Sequence, residues 1–346
     1  MAPPALIQAP GGKRLGKGSP ISMKQEVLHL SMTKAAKVRK PVNWQKVAVI
    51  FAFGIVPIFL LILFTYVPFA KMIQFSFYNM SYTKNKGFVG WDNYLKVFGK
   101  SEYVGAMLLS LYYMAGAVVQ LALALFFASI LSLERIRGAG FFKAAMFFPF
   151  LVNGIAIGYI FKYFYTRGFV LDSVLQAVGI PLEKLPYWLR DQSVNNWSLV
   201  FTSLWKYCGQ YMILFIGAIA SIDPTLYEAA TIDGANRWQQ FKAIILPGIK
   251  TVFMLNLILS ITGSLSAFEP AYVVGSMGAN GTATFFIKIH QMAHVSGKVG
   301  QACAMAMVLM ALILLFTAGQ RLFFRFVMKD SDNTFNAKSN KAKALW

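Results

Sequence analysis

Charged residues and cysteines are both scarce in this chain of 346 residues. Only 13% of the residues are charged and 57% are hydrophobic, whereas soluble domains carry about 25% charged and about 45–50% apolar residues. The hydrophobic content excludes a chain that is disordered over most of its length, and the low charge argues against an ordinary soluble enzyme. The two cysteines, Cys208 and Cys303, lie in apolar segments, so they indicate neither a disulfide framework nor a metal site.

Motifs of enzyme chemistry are also missing from the sequence. Gly11–Gly18 reads GGKRLGKG and is close to a phosphate-binding loop, but a glycine stands where the hydroxyl residue that holds magnesium belongs. His290 and His294 have the spacing of a zinc protease helix, but Gln291 replaces the glutamate between them. No serine nucleophile elbow and no recognisable pair of catalytic carboxylates occurs. We therefore expect no catalytic residue, no metal site and no cofactor in this chain.

The sequence does contain long segments that carry almost no charge. A membrane-spanning helix needs about 20 mostly apolar residues, and the sequence contains six such segments, of which the fourth is interrupted only by Lys206 and the fifth only by Glu269. The segments are Val47–Ala70, Val104–Leu133, Ala144–Phe161, Asn196–Ile222, Thr251–Val274 and Val299–Gln320. This pattern predicts an all-α membrane protein with six transmembrane helices and with both termini on the same side.

Basic residues are distributed unevenly between the segments that join these spans. The net charge is +20, and the two tails together with the second and fourth connecting loops hold 21 Lys and Arg residues, against 11 in the other three loops. The positive-inside rule places the first group in the cytoplasm. We therefore assign the charge to topology and to contact with membrane lipid, not to nucleic-acid binding, and we expect a multi-pass protein with both termini in the cytoplasm.

This topology divides the chain into three parts. Residues 1–46 form a basic cytoplasmic extension, because they lack the short apolar core and the cleavage site of a signal peptide. Residues 47–325 form the transmembrane domain, which includes a cytoplasmic loop at 223–250. Residues 326–346 form a cytoplasmic tail.

The loop after the fourth span has the pattern of two short helices. Asp223 and Pro224 predict a helix start with proline at the first helical position, and Gly234 predicts the end of that helix. A second amphipathic stretch, Arg237–Leu246, is expected to end at Pro247. Such a pair of helices is suited to insertion into a groove on a soluble partner; the alternative is a surface helix that only anchors the fold.

The same loop carries the pattern of a known family. The residues that carry it are Tyr227-Glu-Ala-Ala-x-x-Asp-Gly-Ala235, then Phe241, Ile244 and Leu246-Pro247. They resemble the EAA loop of binding-protein-dependent ABC importer permeases, and the chain is most similar to the carbohydrate branch, which includes the larger membrane subunit of maltose-type importers.

Further residues agree with this branch, and the resemblance covers about 45–325. They are Phe148-Pro149 in the third span, Trp205 and Gly209 in the fourth, and the loop Gly275–Asn280. Two positions depart from the family pattern. Thr251 stands where a proline is frequent, and Ser276-Met277-Gly278-Ala279 replaces the usual Gly-Gly-Gly-Pro of the outer loop.

The resemblance implies a type I ABC importer permease fold in the bacterial cytoplasmic (inner) membrane, with the chain forming half of a pore for sugar import. The partners that it implies are a second homologous permease, two ATPase subunits that bind ATP and magnesium, an extracytoplasmic solute-binding protein and an oligosaccharide substrate. It assigns coupling to the ATPase to residues of the EAA loop, namely Glu228, Ala229, Ala230, Asp233, Gly234, Ala235, Leu246 and Pro247.

The resemblance also points to a substrate pathway near the middle of the membrane. It places Tyr207 and Gln210 of the fourth span and Ser260 and Ser264 of the fifth on this pathway. Tyr207 is expected to stack on a sugar ring, and the other three are expected to form hydrogen bonds with its hydroxyls. Since such polar side chains also join membrane helices to each other, helix–helix hydrogen bonds are the alternative.

Lys206 and Glu269 complete the predicted pathway, because charges inside spans are costly and mark functional sites. Lys206 shares a helical face with Gln210 and suggests an acidic substrate, such as a uronate oligosaccharide from alginate or pectin. Its alternatives are snorkelling to the lipid headgroups and pairing with Glu269 or the second permease. For the whole chain the alternatives are a permease for neutral oligosaccharides or glycerol phosphate, a membrane enzyme, and a channel or secondary transporter.

Overall fold

A computed structural model of the chain describes residues 44–82, 84–133 and 136–343. The extension at 1–46 therefore lies outside the described residues except for its last three positions. Of the tail at 326–346, only the helical backbone as far as Lys343 is described. The chain divides into two compact units, Met1–Tyr66 and Val67–Trp346.

The described residues are mostly helical. The first unit contains α1 (Trp44–Leu61) and a π-helical turn at Ile62–Tyr66. The α-helices of the second unit are α2 (Val67–Ser76), α3 (Asp92–Phe98), α4 (Ser101–Leu133), α5 (Ala139–Leu151), α6 (Gly154–Phe164), α7 (Val170–Ala177), α8 (Asn195–Ala220), α9 (Pro224–Ile232), α10 (Arg237–Gln240), α11 (Leu246–Gly248), α12 (Lys250–Leu265), α13 (Phe285–His290) and α14 (Val299–Lys343). Shorter turns are π-helical at Phe241–Ile245, Pro270–Val274 and Gln291–Val295, and 3-10 at Leu182–Lys184 and Ala279–Gly281. Strands β1 (Tyr78–Met80) and β2 (Asn85–Phe88) form an antiparallel pair.

Within the described residues, five helical segments are long and apolar enough to cross a membrane, and the bent pair α5–α6 makes six if it counts as one span. The five segments are Trp44–Ser76, Ser101–Leu133, Asn195–Ala220, Lys250–Val274 and Val299–Arg325. These positions confirm the predicted all-α membrane fold. The apolar runs form helices because a backbone in lipid must satisfy its own hydrogen bonds.

The third predicted span, Ala144–Phe161, is a bent pair of helices in the structure and not one continuous helix. Helices α5 and α6 are bent by 100° relative to each other, because Val152 and Asn153 have ψ angles of 138° and 134°. Asn153 then caps α6, since its Oδ1 accepts a hydrogen bond from the Ile155 N–H at 2.8 Å. Hydropathy measures the length of an apolar run and not the path of its backbone, so Ala144–Phe161 resembled a single span.

The fifth span is interrupted as well. Helix α12 ends at Leu265, residues 266–268 leave the helix, and a π-helical turn follows from Pro270 to Val274. Proline lacks the N–H that would continue the helical ladder. Irregular backbone at membrane depth is tolerated where it is buried in protein or lines a cavity, and the segment 266–270 does line one.

Helix α8 packs against both α4 and α5 and forms the centre of the bundle. It comes close to α5 at Gly209, where an added Cβ would overlap the backbone of Met146 and Phe147. Small residues are typical of such contacts between membrane helices, because they let two backbones come close together. The glycine that the family pattern shows at this position is therefore required by packing.

We expect Gly209→Ala to destabilise the chain by about 1–3 kcal/mol, because the new methyl group meets backbone that cannot move aside. Gly217→Ala on the same helix is the matched control. A Cβ at Gly217 meets nothing within 4 Å, and alanine favours a helix over glycine by about 1 kcal/mol. Thermal unfolding of the detergent-solubilised chain should separate the two variants. Equal melting temperatures would contradict the close approach.

A buried apolar layer joins the bundle to the loop after α8. The layer contains Leu121 of α4 and Phe215 of α8, together with Ile245 and Ile249 of the loop. Ile245 and Ile249 are 0% and 1% exposed. The second half of the loop is therefore fixed to the transmembrane helices, and a force on the loop acts directly on α4 and α8.

Candidate functional site

A central cavity of about 480 Å³ lies where α4, α8 and α12 meet the irregular segment 266–270. Five of the six residues predicted for the substrate pathway line this cavity: Tyr207, Gln210, Ser260, Ser264 and Glu269. Sequence analysis missed other lining residues, among them Tyr113, Gln120, Ser203, Tyr211, Ser266 and Phe286. The structure thus brings together side chains from four separate parts of the chain.

Two of the missed residues come from α4. Gln120 is the only amide in the apolar run Val104–Leu133, and this isolation is a signal that the sequence did offer. Tyr113 is only 4% exposed, and its hydroxyl has no hydrogen-bond partner among the described residues. A buried hydroxyl without a partner costs about 1–3 kcal/mol, so the Tyr113 hydroxyl marks a position at which a ligand can supply the missing hydrogen bond.

Ser264 has a second role besides lining the cavity. Its single hydroxyl proton is within reach of two carbonyl oxygens, that of Ser260 at 2.8 Å and that of Tyr113 at 3.2 Å. The nearer acceptor belongs to α12 itself and the farther one to α4, so the hydroxyl also lies at the contact between the two helices, as in the alternative given above for polar residues in membranes.

Lys206 lies beside the cavity and is paired with Glu269. The Nζ of Lys206 is 2.5 Å from Oε2 of Glu269, and Lys206 is only 8% exposed. The carboxylate of Glu269 also packs against Gly154, where any side chain would overlap it. The ion pair thus joins α8 to the interrupted fifth span, next to the bend between α5 and α6. Of the alternatives considered for Lys206, the structure supports pairing with Glu269.

The first helix of the loop begins and ends as the sequence predicts. The Oδ1 of Asp223 accepts hydrogen bonds from the N–H and the hydroxyl of Thr225, at 3.0 and 2.8 Å, and these bonds lower the pKa of Asp223. Gly234 has a φ angle of +74°, which favours glycine, and Ala235 donates its N–H to the Ala230 carbonyl at 2.9 Å. The loop therefore turns sharply after α9.

The second helix of the loop starts with a capping box in which Asn236 and Gln239 exchange side-chain and backbone hydrogen bonds. The expected end at Pro247 was wrong, because Pro247 lies within the first turn of α11. The missing N–H of a proline costs nothing at that position. The π-helical turn Phe241–Ile245 precedes it, and α12 follows after Ile249, so the loop runs almost continuously into the fifth span.

The EAA loop residues form an exposed surface. Glu228, Ala229, Asp233, Gly234, Leu246 and Pro247 are exposed, whereas Ala230 and Ala235 are partly buried. Exposed apolar side chains flank them: Leu226 is 52% exposed, Ile232 is 86% exposed and Trp238 is 60% exposed. Apolar side chains displayed around small alanines are typical of a surface that contacts another protein.

Comparison with known families shows to which family the chain belongs. A family model described as "Binding-protein-dependent transport system inner membrane component" matches residues 120–329. The chain belongs to this family. The permease is therefore a membrane subunit of a transport system and not an enzyme, as the resemblance of the EAA loop implied.

Individual relatives agree with the family. The permease is 30% identical to the diacetylchitobiose uptake system permease protein NgcF of Streptomyces coelicolor, over 81% of this chain and 83% of that protein. It is 28% identical to the probable ABC transporter permease protein YurN of Bacillus subtilis, over 78% and 94% of the two chains.

A solved structure shares the fold. A chain from a bacterial ABC transporter involved in the import of the acidic polysaccharide alginate superposes with a TM-score of 0.71 over 82% of the permease and 98% of that chain, at 18% identity. This likeness confirms the predicted ABC importer permease fold.

Proposed function

We propose that the permease is the carbohydrate-translocating subunit of an ATP-driven importer, with the central cavity as its sugar site. The observation that carries this proposal is the cavity lining, which combines the hydroxyl of Tyr113, the amides of Gln120 and Gln210 and the aromatic side chain of Tyr207. Hydroxyls and amides both donate and accept hydrogen bonds, as a sugar requires. The volume of about 480 Å³ lies within the range of about 300–1,000 Å³ that is typical of small-molecule sites.

The names of several relatives support a carbohydrate substrate. Besides the diacetylchitobiose system, they include the multiple sugar-binding transport system permease protein MsmF of Streptococcus mutans and the arabinooligosaccharides transport system permease protein AraP of Halalkalibacterium halodurans. The central cavity itself does not require an acidic sugar, because Glu269 is the only charged residue among the described ones that lines it, and Lys206 neutralises that charge. We therefore assign the central cavity to the uncharged parts of a saccharide.

The remaining assignments concern partners and orientation. A homologous permease supplies the other half of the pore, an extracytoplasmic solute-binding protein delivers the sugar, and two ATPase subunits bind ATP and magnesium. The EAA loop at 223–250 inserts its exposed helix α9 into the ATPase. Both termini and this loop lie in the cytoplasm, which is supported by the count of 21 basic residues against 11.

Uptake by cells that contain or lack the gene for this chain tests the function. The substrates are labelled neutral and uronate-containing di-, tri- and tetrasaccharides. We expect ATP-dependent uptake of at least one of them, and only in cells that produce the permease. Uptake of every saccharide at the same rate without the permease would contradict the proposal.

Tyr113→Phe tests the cavity more directly. Removing the unpartnered hydroxyl should leave the stability of the permease unchanged or slightly higher, but should weaken apparent sugar affinity about fivefold to tenfold, the equivalent of one net hydrogen bond of about 1–1.5 kcal/mol. Tyr94→Phe is the control, since its hydroxyl lies 2.8 Å from that of Ser76 and outside this cavity. That variant should lose stability and keep its affinity. The same affinity in Tyr113→Phe as in the native permease would remove Tyr113 from the sugar site.

A further inference from the structure

A second, outer cavity of about 560 Å³ lies between the connecting segments at 162–195 and 275–281. Both segments are on the side of the membrane that the basic residues predict to be extracytoplasmic. The residues that give this cavity its chemistry are Lys162, Arg167, Arg190, Tyr187, Trp188 and Asn280. It therefore combines cations, aromatic rings and an amide, whereas the central cavity has no net charge.

One of the three cations is neutralised within the fold. The Nε of Arg167 lies 3.9 Å from the carboxylate of Asp172, which is fully buried. Its guanidinium donates to the carbonyl oxygens of Leu182 and Leu185, each at 2.5 Å, and lies over the ring of Tyr187 at 4.7 Å. Arg167 thus holds the wall of the outer cavity in place and is not available for a ligand.

The other two cations are not compensated. Lys162 and Arg190 form no ion pair with any described residue, and no carboxylate lines the outer cavity. Asp191 follows Arg190 in the sequence, but it does not line the outer cavity, and its Oδ1 accepts hydrogen bonds from the N–H and the hydroxyl of Ser193, at 3.0 and 2.8 Å. The outer cavity therefore presents two positive charges that an anionic ligand can meet.

The walls of the outer cavity are fixed by hydrogen bonds. The indole N–H of Trp188 donates to Asp172 at 2.7 Å, and the amide of Asn280 donates to the Leu189 carbonyl at 3.2 Å. Asn195 at the start of α8 donates to the Asn280 carbonyl at 2.8 Å. These bonds tie the two outer segments to each other and to α8, so the walls of the outer cavity keep their relative positions without a ligand.

The backbone of the outer loop is strained where it borders this cavity. Ser276 lines the cavity with a φ angle of +50°, a conformation that residues other than glycine and asparagine rarely adopt. Asn280 has a φ angle of +54°, which asparagine tolerates. Ser276 stands where the family pattern has glycine, and it adopts a backbone conformation that favours glycine. Strain of this kind persists where the surrounding structure holds it in place.

We infer that the outer cavity binds a sugar that carries a carboxylate, as in an oligouronate. An aromatic ring such as that of Trp188 packs on the apolar face of a sugar, the amide of Asn280 matches its hydroxyls, and Lys162 and Arg190 match carboxylates through charge-assisted hydrogen bonds. This inference rests on the proposed carbohydrate function and adds the substrate class. The recognition of acidic groups, which the sequence suggested for Lys206, is thereby assigned to Lys162 and Arg190 of the outer cavity, because Lys206 is paired with Glu269.

Binding to the full-length permease in lipid nanodiscs tests the outer site, with trigalacturonate as the acidic probe and maltotriose as its neutral match. We expect the native permease to bind trigalacturonate at least about tenfold more tightly than maltotriose, since hydrogen bonds to charged groups are stronger than those between neutral groups. The double variant Lys162→Gln/Arg190→Gln should lose this preference and keep its affinity for maltotriose. Lys184→Gln is the control, because Lys184 is exposed on the same segment and lies outside the cavity.

The outcomes separate the two proposals. Equal binding of both trisaccharides by the native permease, or an unchanged preference in the double variant, would overturn the outer site and leave carbohydrate transport standing. Equal losses for both sugars in the double variant would also overturn it, because those residues would then not recognise the carboxylate. A native permease that binds neither trisaccharide would contradict both proposals.

Discussion

Glu269→Gln is expected to destabilise the permease by about 3 kcal/mol, because it leaves the buried ammonium group of Lys206 without its counter-charge. The value is at the lower end of the range for buried pairs, since the Glu269 side chain is 41% exposed and glutamine still accepts a hydrogen bond. The double variant Lys206→Met/Glu269→Gln should recover most of the loss, as it removes both charges. Thermal unfolding of the purified permease measures all three proteins.

The control is an ion pair of the same chemistry on the surface. Lys96 and Asp92 are paired at 2.5 Å, but their side chains are 53% and 48% exposed. Lys96→Met should therefore cost about 0.5 kcal/mol or less. Two results would contradict a role of the Lys206–Glu269 pair in holding the bundle together. One is a Glu269→Gln variant that is no less stable than Lys96→Met, and the other is a double variant that is the least stable of all.

The same ion pair has a position that matters for transport. Glu269 follows the irregular segment 266–268, and its carboxylate packs on Gly154, just after the bend between α5 and α6. Interrupted helices beside a cavity are where transporters change shape, and Lys206 ties both interruptions to α8. We expect Glu269→Gln to impair uptake by more than its effect on the amount of folded permease.

The features that the sequence predicts well are those whose signals act over a few residues. The start of α9 at Asp223 and Pro224, the turn at Gly234 and the EAA pattern itself depend on contacts within about one helical turn, so they are visible in the sequence. The apolar runs are equally local, which is why the positions of the spans agree with the structure. Pro247 shows the limit, because the π-helical turn before it could not be foreseen.

The features that sequence analysis missed depend on residues that are distant in the chain. Sequence analysis gave the pairing of Lys206 with Glu269 only as one alternative, because the two residues are 63 positions apart and only the packing of α8 on the fifth span brings them together. Asn153, the cap of α6, lies inside the predicted third span and was a sign of the bend, but a polar residue in a span has several explanations. The outer cavity is formed by two loops that meet only in the folded chain, so no motif marks it.

Gly234→Pro is expected to leave the permease inserted and to lower uptake by about tenfold or more, because coupling between sites is worth about 1–3 kcal/mol. Proline fixes φ near −65°, whereas Gly234 has a φ angle of +74° and donates its N–H to the Thr231 carbonyl at 3.1 Å. The turn that positions α9 against the proposed ATPase partner would therefore be lost. Uptake and ATP hydrolysis are measured together in the assembled complex, and hydrolysis should no longer depend on sugar.

Gly234→Asn is the matched control for the coupling role. A Cβ at this position meets nothing within 4 Å, and asparagine tolerates the left-handed conformation, so this variant should transport almost normally. Glu228→Lys changes the charge of the exposed helix without changing its backbone, and it should also uncouple hydrolysis from uptake. Ile245 and Ile249 fix the loop to α4 and α8. A movement of the ATPase that displaces the bound loop must therefore also move those helices. Native uptake rates in both Gly234→Pro and Glu228→Lys would show that the loop does not transmit this force.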